Sequence, residues 1–122
     1  MYSLPQEIEV WYIIPAIRKE LAKRLTENYK MSFEATGKVL GISKAAVSQY
    51  ISDKRGNKVK LGDKILSEIK KSAEIISRDE KAGVREIQKI LLFMKKSGAS
   101  CEVCKKYNKG VLEYCEMNTE YK

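Results

Sequence analysis

Apolar positions along this chain recur mostly at helical intervals. Ile17, Leu21 and Leu25 stand four apart and predict the inner stripe of a helix from about Pro15 to Tyr29. Pro5 and Pro15 both suit the first turn of a helix, where the N–H that proline lacks has no intrahelical partner anyway. A short N-terminal segment is therefore expected before that helix, and residues 8–14, whose pattern is ambiguous, are taken as helical. Val39, Leu40, Ile42, Val47 and Ile51 predict the inner faces of two further helices. Ile65, Leu66, Ile69, Ala73 and Ile76 predict a fourth helix. After the polar break SRDEKAG, Val84, Ile87, Leu91 and Met94 predict the stripe of a fifth, and Gly98 closes the regular pattern. No stretch alternates convincingly with the period of two that a half-buried strand requires. The expected fold class is all-α.

The segment Met31–Arg55, MSFEATGKVLGISKAAVSQYISDKR, has the layout of a helix-turn-helix, with the pair spanning about 32–52. Ser32 is placed to cap the first helix, with Glu34 in its first turn where the helix dipole favours negative charge. Gly37 is small enough for two helices to cross closely. Gly41 suits the left-handed backbone of a sharp turn, and Ser43 is placed to cap the second helix. Lys44, Ala45, Ser48 and Gln49 are then left facing outward, a surface suited to the major groove of DNA.

Charge strengthens that expectation. At 122 residues the chain is one domain with a small appendage, and 24 Lys+Arg against 16 Asp+Glu give a net charge of +8. Such a balance favours a polyanionic partner, nucleic acid before membrane. Between Lys38 and Lys60 lie Lys44, Lys54, Arg55 and Lys58, opposed only by Asp53. The apolar run from Val10 to Ile17 is too short to span a bilayer, and the first residues carry Glu7 and Glu9 instead of the basic start of a secretory signal. A cytoplasmic location is expected, so the three cysteines read first as thiols or metal ligands.

The chain resembles the compact lambda-repressor-like domain shared by Cro and repressor proteins. Through VWYIIPAIRKELAK, AAVSQYISDKRG and its cysteine-bearing tail it further resembles a group of short archaeal helix-turn-helix transcriptional regulators, over most of its length. The expected organisation is a DNA-binding domain over 1–78 and, over 79–122, a C-terminal helix with a cysteine-containing sensor or dimerisation segment. Two positions depart from the usual pattern. Phe33 stands where many such domains place a glutamine that contacts phosphate, and Gly37 replaces the more usual alanine, lowering helix propensity by roughly 1 kcal/mol.

On this reading Lys54, Arg55, Lys58 and Lys60 grip phosphates, while base edges are read by the helix before them. Gln49 pairs with adenine N6 and N7, Lys44 donates to guanine, and the Ala45 methyl meets a thymine methyl. Ser43 and Ser48 donate to phosphates or base edges. Double-stranded DNA with a palindromic operator is the expected partner, bound by a symmetric homodimer. Candidate dimer surfaces are Val10–Ile14, with Trp11 and Tyr12, and the fifth helix around Leu92 and Phe93. Taken singly, Trp11, Tyr12 and Phe93 each read more readily as core residues.

Cys101 and Cys104 form a C-x-x-C, and Cys115 follows after ten residues, beyond a turn expected at Asn108-Lys109-Gly110. The chain has no histidine, so one copy cannot assemble the four Cys/His ligands of an ordinary structural zinc site. Three thiolates suit a 4Fe–4S cluster with one iron open to water, a carboxylate such as Glu102, Glu113 or Glu116, or a small ligand. Zinc shared with another group or subunit is the alternative metal. A metal-free thiol/disulfide switch between Cys101 and Cys104 is the alternative chemistry, and Lys105 and Lys106 favour thiolate in every case.

The expected function is sequence-specific transcriptional regulation responsive to redox, iron or sulfur state. A protein-interaction module of antitoxin type is the competing class. No enzymatic activity is expected: the C-x-x-C follows no strand of a βαβ unit, no histidine can serve as general base, and no nucleotide-binding glycine loop is present.

Overall fold

The computed structural model describes residues 4–52 and 59–98. Their regular structure is helical throughout, in agreement with the all-α expectation. The N-terminal stretch runs without a break through α1 (Pro5–Ile8), a π turn (Glu9–Ile13) and α2 (Ile14–Glu27). Leu4 caps it reciprocally, its N–H donating to Glu7 Oε1 at 2.9 Å while its carbonyl accepts from the Glu7 N–H at 2.9 Å.

The helix expected from about Pro15 is α2, with Pro15 in its first turn, and it continues from the π turn without a break. Proline inside an α-helix removes a hydrogen bond and clashes with the carbonyl four residues back, here that of Trp11. That carbonyl lies within the π turn, where the Ile14 N–H bonds to Glu9, five residues back. The wider turn provides the room that Pro15 needs. At its other end α2 stops at Glu27, two residues before the expected Tyr29. Lys30 takes a left-handed backbone (φ 56°), which turns the Met31 N–H back to the Leu25 carbonyl at 3.0 Å.

The remaining helices are α3 (Phe33–Leu40), α4 (Lys44–Ile51), α5 (Asp63–Arg78) and α6 (Gly83–Ser97), the last entered through a 3-10 turn, Glu80–Ala82. Asp79 shapes that turn by accepting from the Lys81 N–H at 3.0 Å. One core joins all of them. Ile17, Leu21 and Leu25 of α2 meet Val39 and Leu40 of α3, Val47 and Tyr50 of α4, Ile65, Ile69 and Ile76 of α5, and Ile87, Ile90, Leu91 and Met94 of α6. Among the described residues no helix is long and apolar enough to cross a membrane.

The stripe of α6 differs from the one expected. Val84 is 67% exposed and Ile90 takes its place in the core. The rotation is set at the first residue, where Gly83 lies against the backbone of Val39; a β-carbon on Gly83 would overlap the Val39 carbonyl oxygen. With Gly83 inward, Val84 lies one 100° step round the helix and faces outward. The same rotation carries Glu86 into the interior, only 2% exposed. Ser72 Oγ donates to its Oε1 at 3.1 Å. Its Oε2 lies 3.3 Å from Lys89 Nζ and 3.5 Å from Arg85 Nε, ion-pair contacts without hydrogen-bond geometry.

Candidate nucleic-acid interface

Two eight-residue helices, α3 and α4, form the unit that the sequence singled out, and local chemistry fixes each end of it. Ser32 has extended backbone, and its Oγ accepts from the Ala35 N–H at 3.0 Å, one of the donors that a helix start leaves unpartnered. Gly41 ends α3 in the left-handed region (φ 73°), and the N–H groups of Gly41 and Ile42 both turn to the Gly37 carbonyl. Ser43 then starts α4 as Ser32 starts α3, its Oγ accepting from the Ala46 N–H at 3.0 Å.

Gly37 has a second role. A β-carbon there would stand 2.6 Å from the Ile42 carbonyl oxygen, so the first helix and the turn approach too closely for any side chain. Glycine at position 37 is thus a packing requirement of this turn. Phe33, the other departure, is half-buried and packs against the core.

Ala46, Val47 and Tyr50 turn α4 inward. Lys44, Ala45 and Ser48 are exposed and Gln49 is half-buried, so these four occupy the opposite face at i, i+1, i+4 and i+5. Ser43 is exposed, but its Oγ already serves the cap. The Ser48 carbonyl accepts from the Ser52 N–H at 3.0 Å at the end of α4. Lys38 adds an exposed cation at the end of α3 and Glu34 an exposed carboxylate near its start. Lys60 is exposed ahead of α5, whereas Lys54, Arg55 and Lys58 lie outside the described residues.

Cys101, Cys104 and Cys115 also lie outside them, as does the expected turn at Asn108-Lys109-Gly110. Among the described residues no group of three or more Cys, His, Asp or Glu is placed to hold a metal ion.

Of the candidate dimer residues, Val10, Trp11 and Leu92 are 58%, 53% and 50% exposed. Phe93 packs against the core and Tyr12 is half-buried. Trp11 as a core residue is therefore corrected: Ile8 and Ile13 take the inward positions of the N-terminal run, and Trp11 between them falls on its outer side. An ion pair between Glu9 and Lys95, 3.0 Å long, joins the π turn to α6 beside an open groove of about 530 Å³. The sequence pattern did not signal this pair, because its members are 86 positions apart on separate elements.

No known protein family, curated protein or solved structure matches this chain.

Proposed function

We propose that the chain is a sequence-specific DNA-binding transcriptional regulator built on a lambda-repressor-like helix-turn-helix bundle. The observation that carries this reading is the outward face of α4: an ammonium, a methyl, a hydroxyl and an amide on one side of a helix whose start and whose angle to α3 are fixed by Ser43, Gly37 and Gly41. A helix with its side chains is about 10–12 Å across, which fits the roughly 12 Å width of the major groove. Lys44, Ala45, Ser48 and Gln49 read bases, Ser43 contributes from the helix start, and Lys54, Arg55, Lys58 and Lys60 hold phosphates. The regulator is a cytoplasmic homodimer on a palindromic operator, and it has no catalytic activity.

Cys101, Cys104 and Cys115 form the sensing half. Three thiols in a chain without histidine are a donor set for a 4Fe–4S cluster, which supplies redox chemistry and a labile iron when bound. Selection of binding sites from random duplexes tests the reading half. A sequence preference that relaxes at one base pair with Gln49→Ala supports it, and binding with no preference at any salt concentration defeats it.

The half-exposed Trp11 favours one second reading, a protein-interaction module that holds another chain through the π turn. Stable co-purification of one partner, together with no DNA affinity at physiological salt, would establish that reading instead.

A further inference from the structure

Of the seven large apolar side chains exposed among the described residues, five lie on two neighbouring elements: Leu4, Val10 and Trp11 on the N-terminal run, Val84 and Leu92 on α6. Single exposed apolar residues are ordinary, but grouped ones mark a surface that another molecule covers. The Glu9–Lys95 ion pair joins the two elements, and the groove beside it is lined by Glu9 from the run and by Arg85, Lys89, Leu92 and Lys95 from α6. Val10 and Trp11 follow Glu9 in the π turn, a kind of turn frequent at functional sites.

The two elements carry opposite charge. From Leu4 to Ile17 the sequence has Glu7 and Glu9 and no lysine or arginine. On α6 stand Arg85, Lys89, Lys95 and Lys96, and the one acidic residue of that helix, Glu86, is buried. A complementary occupant of the groove is acidic and apolar at once, and the N-terminal run of a second copy is both. A two-fold axis places each run on the other copy's α6, so one arrangement covers both halves of the patch. It also offsets locally the repulsion between two chains of charge +8. An unrelated acidic partner in the groove would leave Val10 and Trp11 uncovered.

We propose that two copies of this chain pair about a two-fold axis, with Trp11 of each seated in the α6 groove of the other. The groove, about 530 Å³, has room for an indole with neighbouring side chains, and its cations suit an aromatic face. The inference rests on the homodimer of the proposed function and names the surface that forms it.

Trp11 is the chain's one tryptophan, so its fluorescence reports this contact alone. Sedimentation equilibrium of the full chain without DNA should show a dimer, and dilution to monomer should move the emission to longer wavelength as the indole meets water. Trp11→Ala and Leu92→Glu should each raise the dimer dissociation constant about 30-fold or more, as loss of a central anchor does. Mixing the two variants is the decisive arm. The mixed dimer keeps one intact contact, Trp11 of the Leu92→Glu chain in the groove of the Trp11→Ala chain, whereas neither variant alone keeps any. Adding the Trp11→Ala chain, which has no tryptophan, should therefore move the emission of the Leu92→Glu chain to shorter wavelength. No shift on mixing, or a dimer that both substitutions leave intact, would overturn this surface while keeping the homodimer. A monomer at every concentration would overturn both, and one that binds another protein through Trp11 would do so in favour of the interaction module. DNA reading is measured separately by site selection and does not depend on these outcomes.

Discussion

Ser72 on α5 and Glu86 on α6 meet inside the core through a 3.1 Å hydrogen bond, the hydroxyl donating to a carboxylate that is almost wholly shielded from water. Both sit on faces otherwise made of apolar residues and glycine. A hydrogen bond to a charged group contributes about 1.5–3 kcal/mol, and removing one partner leaves the other without it. Lys89 and Arg85 reach the second carboxylate oxygen from the surface, and their own exposure (63% and 57%) reduces what they add.

Glu86→Ala is therefore expected to destabilise the protein by about 2–3 kcal/mol. Glu86→Gln, which keeps an acceptor for Ser72, should cost about half as much. Urea denaturation followed by circular dichroism measures both. Equal losses for the two variants would show that the charge, and not the bond to Ser72, matters.

Gly37→Ala sets two effects against each other. Alanine improves helix propensity by about 1 kcal/mol. Its β-carbon, however, meets the Ile42 carbonyl oxygen at 2.6 Å, and overpacking costs about 1–3 kcal/mol. The clash involves backbone, which cannot turn aside as a side chain can. Net destabilisation of about 1 kcal/mol is expected in thermal or urea unfolding; a more stable variant would mean that the turn relaxes freely.

Ser43→Ala removes the acceptor for the Ala46 N–H and should lower stability by about 1 kcal/mol, whereas Ser43→Gly should cost only a few tenths. Comparing the two substitutions by urea midpoint separates the cap from any contact that Ser43 makes with DNA.

Two substitutions divide base reading from phosphate holding. Gln49→Ala is expected to relax preference at one base pair, with a loss of about 1–3 kcal/mol there. Lys60→Ala should weaken every sequence alike and reduce the slope of log affinity against log salt by about 0.9 for the phosphate released. Binding-site selection and a salt titration read these outcomes. Unchanged preference in Gln49→Ala would remove that residue from base reading.

Protein purified anaerobically is expected to be brown, with broad absorbance near roughly 400 nm from thiolate-to-iron charge transfer. Cys101→Ser, Cys104→Ser and Cys115→Ser should each remove the colour. Colourless protein without iron or acid-labile sulfide would exclude the cluster and leave the thiol switch.

Features governed by neighbours in sequence were the legible ones. The caps at Ser32 and Ser43, the left-handed Gly41 and the stripe Ile17, Leu21 and Leu25 depend on residues within a few positions, and the structure has each of them. Val84 and Ile90 exchanged places because the rotation of α6 is set by its meeting with Val39, a contact that no local period encodes. Pro15 marks the start of α2 as expected, but a proline signal does not distinguish the π turn before it from an ordinary helical turn. The α4 face was legible as a list of side chains, with Gln49 half-buried and the other three exposed. The burial of Glu86 follows from the same rotation of α6 and had no local signal, since its partner Ser72 lies on another helix.

The angle between α3 and α4 is held largely by main-chain atoms: a left-handed glycine, a carbonyl shared by two N–H groups, and glycine Cα atoms lying against peptide carbonyls. Side chains on the outer face of α4 contribute little to this geometry. Positions 44, 45, 48 and 49 can therefore be varied together in a library with little loss of folded protein, and on the proposed DNA-binding reading altered recognition would need no compensating change elsewhere.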